Sequence, residues 1–403
     1  MRSDAQMTPA LSNESELYVA PGGPLFRLVQ RIANPGKRPR SVLWRIVGLL
    51  LITWVPMCVF AIVQGYALGD TPRRSFLLDF ATYARFFVAI PLLVIAERLI
   101  GERLTVAGRQ FVCDALVQEN DYPAFERAIT RLAQRRESVV ATLVIVALAA
   151  LGAWTLTYES ATGVSTGGWQ SVILPEGHTS HYSFAALWNH LVALPVLLFL
   201  WYGWLWRLVF WTLFLRDVAR LHLRLVPAHA DGAGGLGFLE MAHTSFGILA
   251  FAVGSVLSAQ AAFQIVYEGA RINVFQTPVI VVLVVMLILF LGPLLIFTPV
   301  MAQTRRDALR SYGSLMTRYN TSFQEKWIDS RGPQDEQLLG SSDIQSLADL
   351  SSSLRFVADM GLTPFGRRAV LLLTLATVLP GLPLLLLVFP IRDIIDALAK
   401  VVF

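Results

Sequence analysis

Residues 279–301, VIVVLVVMLILFLGPLLIFTPVM, carry no charged side chain. As a helix rising 1.5 Å per residue the stretch spans about 30 Å, the thickness of bilayer hydrocarbon. In that medium every backbone N–H and C=O must find its partner within the segment, so the stretch reads as a transmembrane helix. Runs of the same kind occupy 46–68, 76–96, 139–158, 184–206, 245–267 and 369–389. The expected fold class is all-α, a polytopic transmembrane helical bundle of about seven spans with a small helical cytoplasmic layer. Composition agrees, with 55% hydrophobic and 15% charged residues against roughly 25% charged in an ordinary soluble domain.

Positive charge orients the bundle, because cytoplasmic connections hold the excess of Lys and Arg. Seven lie between Arg2 and Arg45, seven between Arg98 and Arg136, three at Arg216, Arg220 and Arg224, and nine between Arg305 and Arg368. The connection 159–183 has none, and that after Glu268 has only Arg271. The N-terminus is therefore expected in the cytoplasm and the C-terminus in the periplasm of a bacterial inner membrane. Arg73, Arg74, Arg392 and Lys400 run against the pattern. Run 76–96, interrupted by Asp79 and Arg85, is kept as a span because otherwise the positive segment after it would change sides. Run 369–389 contains Pro380-Gly381-Leu382-Pro383, and a re-entrant course there would return the C-terminus to the cytoplasm. The net charge of +5 sits at span ends and forms no basic stripe, which excludes nucleic acid as a partner. The first 30 residues lack the apolar core of a signal peptide, and two cysteines make no disulfide framework.

The chain divides into a mobile tail (1–22), a basic interfacial segment (23–45), spans one and two (46–96), a cytoplasmic helical hairpin (97–138), spans three to six with a glycine-rich inner loop at 227–243 (139–301), a cytoplasmic helical segment (302–368), and span seven with an amphipathic tail (369–403). The hairpin shows Leu104, Ala107, Phe111 and Ala115 on one face and Phe125, Ile129 and Leu132 on another, with Asp121 and Pro123 at the boundary. In 302–368, Tyr312, Leu315, Tyr319, Phe323 and Trp327 form one stripe and Ile344, Leu347, Leu350 and Leu354 a second. Such faces either pack beneath the bundle or dock a partner. The partners expected are membrane lipids and a homo-oligomer or cytoplasmic protein.

Ionisable and amide groups inside spans are candidates for function by default. Asp79, Arg85, Gln260 and Gln264 form the candidate intramembrane polar path, with interhelical hydrogen bonding as the plainer account of the glutamines. Asp79 and Glu97 lie about 27 Å apart along one helix and cannot pair. Gly254, Ser258 and Ala262 make a small-residue stripe that favours close helix contact. Trp201, Tyr202, Trp204, Trp206, Phe210 and Trp211 read as an interfacial aromatic belt, with Arg207 snorkelling past them.

The most distinctive segment is Pro227-Ala-His229-Ala-Asp231-Gly232-Ala-Gly234-Gly235-Leu-Gly237-Phe-Leu-Glu240-Met-Ala-His243. Gly232, Gly234, Gly235 and Gly237 permit positive φ or close backbone approach. Three readings are open. The turn's N–H groups hold an anion or lipid phosphate; His229, Asp231, Glu240 and His243 ligate a divalent metal, the one cofactor considered; or Asp231 caps the following helix in a tight structural loop and the histidines face solvent. The segment resembles a His-x-Asp-x-x-Gly-Gly-Leu-Gly stretch in a family of bacterial multi-pass inner-membrane proteins with no assigned activity, and the resemblance implies location and nothing finer. With no His-Glu-x-x-His, G-x-S-x-G or Walker motif, an enzyme is not expected. Ion or small-solute transport is the function favoured, against a non-transporting scaffold or sensor working through its cytoplasmic helices.

Overall fold

In the computed structural model the described residues are 42–71, 74–136, 138–162, 169–173, 180–329 and 342–384. The N-terminal tail, nearly all of the basic interfacial segment and the amphipathic C-terminal tail lie outside them. The helices are α1 (Val42–Val63), α2 (80–113), α3 (Tyr122–Arg136), α4 (Val139–Thr162), α5 (Phe184–Ala219), α6 (Phe238–Glu268), α7 (Ile272–Ile328), α8 (Ser342–Asp359) and α9 (Arg367–Val378). Among the described residues the departures from all-α are an isolated bridge between Val117 and Leu223 and an antiparallel ribbon between α4 and α5. It pairs β1 (Ser171–Ile173) with β2 (Ser180–Tyr182) in the register Ser171↔Tyr182, Val172↔His181, Ile173↔Ser180.

Five described helices are long and apolar enough to cross a membrane: α1, α5, α6, α7 and the segment Arg367–Leu384. A sixth arises if Glu119–Arg135 and Val139–Thr155, which meet at a 48° bend, form one broken span. Five to six is fewer than the seven expected, and α2 is not among them.

Three long helices change pitch where proline enters. In α2 residues Ala84–Ala89 form a π turn just ahead of Pro91, and in α5 residues Asn189–Ala193 form another ahead of Pro195. Proline has no N–H to donate and its ring crowds the carbonyl four residues back; a wide i→i+5 turn relieves both. In α7 the break is tighter, a 3₁₀ segment at Gly292–Phe297 containing Pro293 and followed by Pro299.

Two apolar clusters hold the molecule. At the ribbon end Met57 and Ala61 of α1, Phe76, Phe86 and Ile90, Trp169, and Ala185, Ala186 and Ala193 of α5 are buried together. At the opposite, loop end Phe111, Phe125, Trp211, Phe214, Phe246, Phe290 and Phe297 join in one core. The α2–α3 hairpin delivers Phe111, Phe125, Ile129 and Leu132 to that core, as its amphipathic pattern predicts. Its turn differs in detail. α2 stops at Cys113 and Ala115 takes φ of 50°, so Ala115 leaves the helical face. Asp121 instead accepts from the His222 backbone N–H at 2.8 Å, tying the hairpin to the connection after α5.

The small-residue stripe of α6 meets α9. A Cβ at Gly254 would lie 2.1 Å from the Thr377 carbonyl oxygen, and the Ser258 hydroxyl donates to the Pro380 carbonyl at 2.7 Å. Beyond the bundle α7 runs on as a long arm against which α8 packs. Lys326 pairs with Asp343 at 2.8 Å, the Trp327 indole N–H donates to the same carboxylate at 3.0 Å, and Arg305 donates to the Ala358 carbonyl at 2.7 Å.

Candidate functional site

The glycine-rich loop adopts the backbone its residues imply. Gly232, Gly234 and Gly235 have φ of 65°, 67° and 96°. Gly237 has an ordinary helical φ, but a Cβ there would lie 2.9 Å from the Asp231 Cβ. The N–H groups that this conformation turns inward already hold an anion, the carboxylate of Asp231. Its Oδ1 accepts from Ala233 at 2.8 Å and Gly235 at 3.2 Å, and its Oδ2 from Gly237 at 2.8 Å. His229 Nδ1 lies 2.9 Å from Oδ1. Burial pushes this carboxyl up, but the three backbone donors and His229 outweigh it and hold the group below the usual carboxylate range.

The loop in turn fastens distant connections. Gly361 N–H donates to the Gly232 carbonyl at 2.8 Å and Gly366 N–H to the Glu240 carboxylate at 2.9 Å. His243 is fully buried. The Trp211 indole N–H can only donate, so His243 Nε2 accepts from it at 2.9 Å, and Nδ1 must carry the hydrogen that faces the Phe290 carbonyl. His243 is thus neutral with both nitrogens committed, Glu240 faces Gly366, and His229 and Asp231 stand apart as a pair. Among the described residues no group of three His, Cys, Asp or Glu is arranged to hold a metal. Asp231 grips Gly237, the residue just ahead of α6, without capping the helix, and His243 is buried where the structural-loop reading expected it to face solvent.

A pH dependence follows with a definite sign. Because the folded pKa of Asp231 is depressed, its stabilisation is complete above the unfolded value near 3.8 and is lost as pH falls through the lower folded value. Asp231→Ala is expected to cost on the order of 2 kcal/mol at pH 7, since it orphans charge-assisted backbone donors. It should also flatten the acid limb of the stability profile below about pH 4. Thermal unfolding of the two proteins between pH 3 and 7 checks this, and parallel profiles would refute it.

The aromatic stretch of α5 is a core element more than a belt. Trp204, Phe210 and Trp211 are buried, and the Trp204 indole N–H donates to the Leu93 carbonyl at 3.0 Å. Arg207 does not snorkel. It stacks 4.6 Å above the Trp204 ring and pairs with Glu97 at 3.0 Å, while Arg45 pairs with the other Glu97 oxygen at 2.6 Å. Glu97, 4% exposed, therefore clamps α1, α2 and α5. Sequence reasoning weighed Glu97 only against Asp79, because partners 52 and 110 positions away leave no local signal.

Of the polar-path residues, Asp79 is occupied. It is the N-cap of α2, where Ala81 and Thr82 N–H groups donate to Oδ1 at 3.0 and 3.3 Å. The Thr82 hydroxyl and the Trp169 indole N–H donate to Oδ2 at 2.7 and 3.0 Å. Trp169, edge-on to Phe76 at 5.1 Å, closes the ribbon end. Arg85, in the π turn of α2, is half-buried and makes no hydrogen bond or ion pair among the described residues. The same holds for the Gln260 and Gln264 side chains. α6 packs directly against the first turns of α2, and Tyr267 stacks on Phe80 at 5.5 Å. Gln264 and Gln260 precede Tyr267 by three and seven residues, so they share its side of α6. The structure thus sets Arg85, Gln260 and Gln264 in neighbouring helices, leaves Asp79 out, and links none of the four by a hydrogen bond.

Two further polar residues, which the polar path omitted, lie in the π turn of α5. His190 has both ring nitrogens buried without a hydrogen-bond partner, and its ring stands edge-on to Tyr182 at 5.5 Å. Asn189, 3% exposed, forms no side-chain hydrogen bond among the described residues. Their signal was the pair of prolines, which mark where each helix widens. A separate cavity of about 210 Å³, lined by Leu257, Ala261, Phe275, Val378 and Leu382 among others, is apolar. In comparisons with known proteins, no family model, no curated protein and no solved structure matches the chain.

Proposed function

We propose that the chain is a seven-span protein of a bacterial inner membrane, with its N-terminus cytoplasmic and its C-terminus periplasmic. In this reading it takes an ion or small solute into a polar site between α2, α5 and α6. The seven crossings add α2 and α4 to the five apolar helices. Charge alternation supports both additions, since omitting α2 would set the positive segment 98–136 on the opposite side from residues 2–45. The ribbon end is then periplasmic and the glycine-rich loop cytoplasmic.

The observation that carries the solute reading is Arg85. An arginine at the centre of a span costs about 2.5–3.5 kcal/mol on insertion scales, and in a packed bundle that cost is offset by a carboxylate or by a ligand. Arg85 has no carboxylate among the described residues. Reconstituted into vesicles, the full-length protein is expected to pass at least one member of a panel of small ions, carboxylates and amino acids. That flux should fall about tenfold or more in Arg85→Gln, in keeping with the loss of one charge contact. Flux equal to protein-free vesicles across the panel would overturn the reading.

A scaffold or sensor is favoured by one observation of its own. Outside the bundle, α8 packs chiefly along α7, and Leu315, Ile328, Ile344 and Phe356 of this arm stay exposed, a surface suited to a cytoplasmic partner or a second copy. A folded protein that passes no solute would hand the assignment to this reading.

A further inference from the structure

The apolar cavity between α6, α7 and the end of α9 follows from residue size. α9 abuts α6 at Gly254, where a side chain would strike the Thr377 carbonyl. Just beyond, Leu379–Gly381 turns as a 3₁₀ segment, and the small residues Ser258, Ala261 and Gly381 leave about 210 Å³ between the three helices. We infer that this space seats one acyl chain of a membrane phospholipid. The inference needs these helices to lie in a bilayer and does not depend on the solute reading.

Polarity is the first argument. Two hydroxyls line the cavity and both are spent within the protein, Ser258 on the Pro380 carbonyl at 2.7 Å and Thr377 on the Leu373 carbonyl at 2.8 Å. Apart from Gln276 the other lining side chains are hydrocarbon. Such a wall gives a polar solute no partner and an alkyl chain many dispersion contacts. Shape is the second. The lining falls at i, i+3, i+4 and i+7 on both α6, from Gly254 to Ala261, and α7, from Ile272 to Val279. The space is therefore a slot about 10 Å long parallel to the helices. An apolar cavity of about 150 Å³ stays dry and takes up benzene, so this larger one suits a run of roughly eight carbons. Continuity is the third. Val378 and Leu382, which line the slot, are exposed and fall on one stripe of α9 with Leu371 and Leu375, also exposed. The slot thus opens onto a face that hydrocarbon covers in a bilayer. Gln276, exposed at the opening and without a side-chain hydrogen bond among the described residues, is placed to meet the ester or phosphate oxygens above the chain.

The test is photolabelling. Full-length protein in digitonin, a rigid sterol detergent without an alkyl chain, is irradiated with rising amounts of phosphatidylglycerol that carries a diazirine in one acyl chain. Adducts are then mapped by peptide mass spectrometry. Labelling at Leu257, Phe275 and Leu382 is expected to saturate and to be displaced by unlabelled phosphatidylglycerol. It should fall about tenfold or more in Ala261→Phe, whose ring takes the place of the buried methylenes. Labelling at Leu51 and Trp154, exposed on α1 and α4, should rise in proportion to lipid and stay unchanged in the variant. Val279→Phe closes the slot from α7 and serves if Ala261→Phe fails to fold. Slot labelling that never saturates and ignores both variants, like that at Leu51, would overturn the inference and leave ordinary boundary lipid. An unlabelled slot in folded protein would overturn it too, and would assign the space to residues 385–403 or a second copy. The vesicle flux measurement decides the solute reading separately from every one of these results.

Discussion

Glu97→Ala is expected to be among the most destabilising single substitutions in this chain. It removes the largely buried carboxylate that the guanidinium groups of Arg45 and Arg207 share at 2.6 and 3.0 Å. Removing one partner of a buried ion pair costs about 3–5 kcal/mol, most of it the penalty on the charge left behind. The triad as a whole is a weaker source of stability, because its desolvation cost offsets much of the attraction. A triple variant, Arg45→Met with Glu97→Leu and Arg207→Met, is therefore expected to recover most of the loss. Thermal midpoints in detergent for the parent, single and triple proteins test this. A triple variant no more stable than Glu97→Ala would show that stacking of Arg207 over Trp204 matters more than charge balance.

The second large effect is steric. At Gly254 an added methyl would meet the Thr377 carbonyl oxygen at 2.1 Å, a contact that only backbone movement can relieve. Overpacking in a core costs about 1–3 kcal/mol when side chains can yield. Here the obstacle is main chain, so Gly254→Ala is expected at or above the top of that range, and Gly254→Val is expected to detach α9 from α6. Gly203→Ala, where nothing lies within 4 Å, is the matched control and should be near neutral. Equal midpoints for Gly254→Ala and Gly203→Ala would contradict the close α6–α9 contact. Loss of the Ser258–Pro380 hydrogen bond should accompany the separation, and protease access at the C-terminal end would report it.

What could be read before the structure was whatever depends on local periodicity. The apolar run at 279–301, the amphipathic hairpin ending in Phe111 and Phe125, the paired stripes of the arm and the small-residue stripe at Gly254 and Ser258 all announce themselves within a few helical turns. Residues committed over long separations did not. Glu97 looks like an end-of-span carboxylate until Arg45 and Arg207 arrive from other helices, and Asp79 resembles a functional acid until Trp169 and its own cap take up both oxygens. Asp231 is the intermediate case. The glycines near it foretold an anion-holding turn, but the anion is the loop's own aspartate. His243 shows a different limit. Its spacing from Glu240 puts both on one helix face, but burial against Trp211 and Phe290, which no local pattern announces, commits both ring nitrogens. The count of crossings stays tied to charge patterning, because Arg85 and Glu97 dilute the apolar character of α2.

The two wide turns also bear on how this chain tolerates gain and loss of single residues. A π turn accommodates one residue more than an α turn, so it behaves as an insertion that the helix has absorbed, with both flanks keeping the phase they would have without it. Deleting one residue inside 84–89 can thus be taken up locally. Asp79 keeps its cap, Glu97 stays between its arginines, and only the bulge that presents Arg85 disappears. The same deletion inside the plain α stretch from Leu92 to Cys113 would turn everything after it by about 100° and carry Phe111 out of the core. Over one continuous helix, the reading frame of its faces is elastic at the π turn and rigid beyond it.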